Sequence, residues 1–139
     1  MRPDTAVVPG LRIKQRRNAS DECGSAVVDF VLVGALLTLF FMAIIQLTLV
    51  LHVRNTLIDA AASGARYGAL ADRTPADARA RTAELIRSAL NSDFSGDIVC
   101  SDVMVDGART LEVTVTAPLP VVGLVGPRGL LEVKGHAAH

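Results

Sequence analysis

From Phe30 to Leu51 the chain carries no charged residue, a run of 22 positions. As a helix rising about 1.5 Å per residue, such a run covers a hydrocarbon core about 30 Å thick. The front edge of the run reads Gly24-Ser-Ala-Val-Val-Asp29-Phe30. It sets a carboxylate just inside an apolar helix, where a charge costs about 2.5–3.5 kcal/mol at the centre and less toward the interface. Within the run Gln46 is the most polar side chain; like Thr38 and Thr48 it can hydrogen-bond to a neighbouring helix, a contact of about 0.6 kcal/mol on average.

The helical period continues past Val53. Leu57, Ile58, Ala61, Ala62, Ala65, Gly68 and Ala69 recur at helical spacing, Arg54, Asp59 and Arg66 stand off that stripe, and no proline intervenes before Pro75. One helix from about Ser25 to Ala71 is predicted, apolar all round in its first half and amphipathic in its second. Small residues crowd that second half, and Gly64 and Gly68 form a small-xxx-small spacing that admits another backbone closely. The cover for this face is either another subunit's helix or the chain's own head.

Thr74-Pro75 supplies an N-cap and a first-turn proline, with Asp77 following, so a second helix starts there with Ala78, Leu85, Ile86, Ala89 and Leu90 inward; Asn91-Ser92 can end it. Ile98–Val105 is a β-rich run, Asp106-Gly107 a hairpin turn, and Thr110–Ala117 alternates strictly. Leu111, Val113, Val115 and Ala117 are then inward, with Thr110, Glu112, Thr114 and Thr116 toward water. Leu130–His136 adds a third strand after the loop from Pro118 to Gly129, because two strands alone are marginal. The expected class is α+β: a long N-terminal transmembrane helix, a short helix and a small antiparallel sheet. The expected organisation is a leader over 1–24, a span over 25–53 and an extracytoplasmic head over 54–139.

Charge changes the picture at the N-terminus. The formal net charge is zero, yet residues before Ser25 hold five Lys or Arg against three acidic groups. Arg12, Lys14, Arg16 and Arg17 precede the span closely and only Arg54 and Arg66 follow at a comparable distance, which puts the N-terminus in the cytoplasm and the head outside. Met1 to Cys23 mixes Pro3, Pro9, Gly10, Asn18 and Ser20 with scattered charges and reads as a flexible leader. A cleavable secretory signal is the competing reading, with Ala60-Ala61-Ala62 as its cleavage site, but the apolar run is too long and His52 through Asp59 intervene. Cys23 precedes the apolar run, where lipoprotein acylation does not occur, and across a membrane it cannot pair with Cys100, which reads as a small inward side chain.

Candidate chemistry adds little. With no Trp, one Tyr and four Phe in 139 residues, the composition argues against a pocket-rich enzyme. His52, His136 and His139 lack metal-ligand spacing, the last two reading as an exposed tail. Ser25, Ser63 and Ser88 have no adjacent base, and Gly123, Gly126 and Gly129 do not lead from strand to helix as a phosphate loop does. Asp102, Glu112 and Glu132 are the main acidic groups on the strands, none with an evident partner. No cofactor, metal, nucleic acid or small-molecule substrate is indicated.

The segment from Gly24 to Phe30 resembles the processing site of type IV pilin-like proteins, and Ala60-Ala-Ala-Ser-Gly-Ala-Arg66-Tyr67-Gly-Ala69 after a single span resembles the TadE-like minor pilins of tight-adherence, Flp-type systems. That resemblance implies a basic leader cut after Gly24 by prepilin peptidase, Ser25 as the new N-terminus, and an acid at the fifth mature position followed by an aromatic, here Asp29 and Phe30. The acid in the family is usually glutamate, one methylene longer. The carboxylate of Asp29 would neutralise a neighbouring subunit's new α-amino group and set axial register. The implied function is a non-enzymatic minor pilin or pseudopilin in the inner membrane, or in an extracellular pilus, with other pilin-like subunits and the membrane assembly machinery as partners. Gly64, Gly68 and Gln46 are the expected helix-packing positions. The alternative is an uncut single-pass adaptor or sensor with a binding head; a membrane-anchored hydrolase would need a polar cluster in the head.

Overall fold

A computed structural model describes the backbone of residues 10–120 and 129–138, with side chains from residue 19 onward. Residues 1–9, the loop centre with Gly123 and Gly126, and His139 lie outside the described residues, as do the side chains of Arg12, Lys14, Arg16 and Arg17. In chain order the elements are α1 (Gly10–Gly68), α2 (Pro75–Ala89), a 3-10 turn (Ser92–Ser95), β1 (Asp97–Val105), β2 (Ala108–Pro118) and β3 (Leu130–Ala138). The chain has the expected α+β composition. It divides into two compact units, Met1–Ile44 and Ile45–His139. The described part of the first is helix alone; the second holds the remainder of α1, α2 and the sheet.

The helix begins at Gly10, so the stretch expected to be flexible is helical from there to Cys23. Two features of the sequence account for this. No proline occurs between Pro9 and Pro75, and Leu11 to Glu22 is rich in Leu, Arg, Lys, Gln, Ala and Glu, which lose little side-chain freedom in a helix. At its other end α1 stops at Gly68, with Arg66 in the last turn favoured by the helix dipole. The chain then tightens, Leu70 N–H donating to Tyr67 C=O at 3.4 Å and Arg73 N–H to Leu70 C=O at 3.0 Å. The Arg73 guanidinium lies 4.7 Å over the Tyr67 ring and closes this corner.

Helix α2 starts as its sequence predicts. Asp77 N–H donates to Thr74 Oγ1 at 3.3 Å while Thr74 N–H donates to Asp77 Oδ2 at 2.8 Å, a reciprocal capping box with Pro75 in the first turn. Those bonds to the Thr74 backbone and side chain hold the Asp77 carboxyl below its ordinary value of 3.8. A depressed carboxyl stabilises the fold above its unfolded pKa and loses that contribution as pH falls through the folded value. The stability advantage of the wild type over Asp77→Asn is therefore expected to be constant at neutral pH and to shrink on acidification below about pH 4. Thermal unfolding of both proteins against pH measures it, and an advantage that grows in acid would contradict the cap.

The buried side chains of α2 are Ala78, Thr82, Ala83 and Ile86. Ala89, expected inward, is exposed, and Leu85 and Leu90 are half-buried. The helix is rotated so that its smallest residues meet α1. A Cβ on Gly64 would collide with the Thr82 hydroxyl and come within 3.0 Å of Ala78 C=O, and one on Gly68 would collide with Ala78 Cβ and approach Leu111 Cδ2 to 2.7 Å. Thr82 is itself fully buried and satisfied, its hydroxyl donating to Ala78 C=O at 2.9 Å.

The sheet has strand order β1-β2-β3, antiparallel throughout. Asp106 and Gly107 both have positive φ, 50° and 79°, as the two-residue turn of a twisted hairpin requires. Central β2 alternates as read: Leu111, Val113, Val115 and Ala117 are fully buried. Thr110 departs from the pattern. It is buried too, flanked by Val103 on β1 and Ala138 on β3. These strand residues join Val53, Leu57, Ala60, Ala61 and Ala65 of α1, Ile86, Ile98 and Val133 in one core. On the outer face Glu112 has partners that its sequence position did not disclose: Lys134 Nζ at 3.2 Å and His136 Nδ1 at 3.6 Å, both across the β2–β3 ladder. His136 is thus a strand residue and not tail. These are cross-strand contacts of modest worth, about 0.2–1 kcal/mol each.

Candidate functional site

The positions singled out from the sequence fall into two sets, one in each unit. Gly24, Ser25, Asp29 and Phe30 lie on α1 in the first unit, and all four are exposed. Among the described residues nothing beyond the helix's own adjoining turns comes within 4 Å of a Cβ built on Gly24, and Phe30 is 81% exposed. Ser25 and Asp29 are four apart, so they lie one turn from each other on the same face. The Gly24–Ser25 peptide bond sits inside the helix. A glycine in that setting weakens the helix by about 1 kcal/mol relative to alanine.

Every large apolar side chain from Val27 to Ile45 is exposed. A water-soluble chain does not leave such a surface bare. The best 18-residue window of α1 has mean hydropathy 2.6 and none of it is buried, so the helix is long and apolar enough to cross a membrane. Thr38 meets its own polar demand locally, its hydroxyl donating to Gly34 C=O at 2.8 Å.

The second set belongs to the head. Gly64 and Gly68 are covered by α2 and β2, so the close approach implied by their spacing is made within the chain. Gln46 is half-buried, and its Nε2 donates to Pro120 C=O at 2.8 Å. Its partner here is a loop carbonyl and not a second helix. Sequence reasoning missed Gly135 as a packing residue: a Cβ there would run into the backbone of Ala61 and Ala62 in α1. The Lys134-Gly-His136 stretch carries no local signal of that contact. Cys100 is half-buried on β1, and desolvation raises its thiol pKa despite the opposing charge of Arg79. The thiol is therefore protonated at neutral pH and a poor nucleophile.

The family model described as TadE-like protein matches the chain from residue 24 to residue 66. Over residues 24–66 the chain is similar to the TadE-like family. No curated protein and no solved structure matches the chain. The TadE-like segment begins at Gly24 itself, the residue at the front edge of the apolar run, and ends within the small-residue stretch beside Arg66. It takes in the apolar run and the part of α1 that enters the head's core. The sheet and α2 lie beyond it.

Proposed function

We propose that the chain is a minor pilin-like subunit of a Flp-type tight-adherence pilus, cut by prepilin peptidase after Gly24 and assembled through its N-terminal helix. The observation that carries this reading is that the TadE-like match starts at Gly24, where a leader with a basic surplus meets a helix whose large apolar side chains from Val27 to Ile45 are exposed. In this reading the N-terminus is cytoplasmic, the head lies outside the inner membrane, and the chain is a substrate of the peptidase and not a catalyst. Cutting before Ser25 creates a cationic amine at a new helix N-terminus. Asp29 of a neighbouring subunit neutralises it while the exposed apolar faces pack against other pilin-like subunits. Membrane assembly proteins of the pilus complete the list of partners.

The deciding experiment is the intact mass and N-terminal sequence of the protein purified from its own cells. A terminus at Ser25 is expected. Because Cys23 leaves with the leader, the same sample should titrate, after denaturation, with one thiol per chain from Cys100 and not two. An intact Met1 with two thiols would instead favour an uncut single-pass adaptor.

A further inference from the structure

We propose that the end of the head where β2 leaves toward β3 rests in the lipid interface beside α1, with Leu119, Pro120 and Leu130 as its lipid contacts. The inference rests on α1 spanning the bilayer, and it concerns a surface that the processing step does not use.

Three contacts fix the direction in which the sheet lies along the helix. Leu111 on β2 meets α1 at Gly68, Gly135 on β3 meets it at Ala61 and Ala62, and Pro120 just beyond β2 meets it at Gln46. Between the outer two contacts the helix advances 22 residues, about 33 Å, and the strand path 9 residues, about 30 Å. The two paths agree, so β2 runs alongside α1 and its far end descends the helix toward the apolar run.

That end reaches into the run. Gln46 lies five residues before Leu51, the last residue of the uncharged stretch, so the Pro120 contact sits about 7 Å inside it. A hydrocarbon core of about 20 residues that starts at Phe30 ends near Leu49, and one that starts at Val27 ends at Gln46. For both starts Pro120 is at the outer boundary of the core or below it.

Both ends of the sheet expose apolar side chains, Met104 and Val105 at the hairpin as well as Leu130 here, but only this end adjoins the apolar run of α1. Among the described residues, Pro118, Leu119, Pro120, Gly129, Leu130 and Leu131 carry no charge, and Leu130 is 76% exposed. On the adjoining helix Leu47 and Leu51 are exposed as well. The opposite end carries Asp106 in its turn and Arg109 beside it. A backbone carbonyl at the edge of the hydrocarbon has little water to accept from, and an unsatisfied one is costly. The Gln46 amide supplies the Pro120 carbonyl with a donor at that depth. This gives the one amide side chain in the apolar run a physical reason.

The native chain has no Trp, which makes single-Trp variants clean reporters. Full-length Leu130→Trp, Leu37→Trp and Met104→Trp would be reconstituted in phosphatidylcholine–phosphatidylglycerol vesicles with nitroxide lipids labelled near the headgroup or deep in the acyl chain. Leu130→Trp should lose most of its emission to the headgroup-proximal label and be blue-shifted. Leu37→Trp should respond to the deep label, and Met104→Trp, 69% exposed near the hairpin turn, to neither. Unquenched Leu130→Trp beside quenched Leu37→Trp would overturn this inference and leave the span standing. Equal quenching of Met104→Trp and Leu130→Trp would also overturn it, since the head would then lie flat. Unquenched Leu37→Trp would remove the span itself.

Discussion

Gly135→Val should unfold the head. A side chain at this position points at the α1 backbone, where a Cβ would collide with Ala61 C and Ala62 N and come within 2.7 Å of Ala61 C=O. None of these atoms can swing aside as a side chain would. To make room β3 must retreat from α1, and it is paired antiparallel with β2, Gly135 standing opposite Val113. The retreat opens the layer containing Leu57, Val113, Val115 and Val133, all buried. Overpacking of this kind costs about 1–3 kcal/mol and occasionally more. Because backbone and not side chain is struck, we expect Gly135→Ala at the upper end of that range and Gly135→Val beyond it, a large part of the roughly 5–15 kcal/mol available to a small domain. Gly96→Ala is the control. Its Cβ would meet nothing within 4 Å and its φ is −74°, so it should be neutral or slightly stabilising. Chemical unfolding of the detergent-solubilised proteins compares the three variants. A Gly135→Val protein as stable as wild type would mean that β3 does not cross α1 at Ala61.

Gly135 also marks where reading the sequence stops. Features encoded by neighbours along the chain were legible: the Thr74–Asp77 cap, the Asp106-Gly107 turn with its two positive φ angles, and the inward set Leu111, Val113, Val115 and Ala117. Each depends on a period or on a turn chemistry that acts within a few residues. Features fixed by contacts between distant segments were not. On α2 the inward positions Ala78 and Ile86 were legible, but buried Thr82 and Ala83 and exposed Ala89 were not, because Gly64 turns small residues of α2 toward α1. Glu112 looked isolated because Lys134 and His136, its partners, are more than twenty residues away. Gln46 was conspicuous as a polar residue in an apolar run, yet its acceptor at Pro120 could not be named from spacing. In the segment proposed for processing the relation is reversed. Gly24, Asp29 and Phe30 stood out in the sequence, and the fold surrounds Gly24 with open space.

That open space gives the second large effect its meaning. Gly24→Leu is expected to leave the protein at full length in its own cells, with the leader attached, both cysteines present and no pili. On structural grounds alone the substitution should be harmless. Among the described residues no atom outside the helix's own adjoining turns stands within 4 Å of the new Cβ, and leucine in place of glycine in a helix interior favours the helix by about 1 kcal/mol. The helix gain works against cutting, because the Gly24–Ser25 bond must leave its helical hydrogen bonds to enter a peptidase, and a stiffer helix opens less often. The added side chain also occupies the position immediately before the scissile bond. Loss of processing in a protein that folds and inserts normally therefore isolates recognition by the peptidase from misfolding. Asp29→Asn separates the next step: cutting should proceed, since Gly24 and the leader are unchanged, while incorporation into pili falls because the new Ser25 amine meets no carboxylate. Full-length Gly24→Leu beside Ser25-terminated, unassembled Asp29→Asn would establish the two roles in sequence. Gly24→Leu still cut at Ser25, with pili intact, would sink the processing assignment.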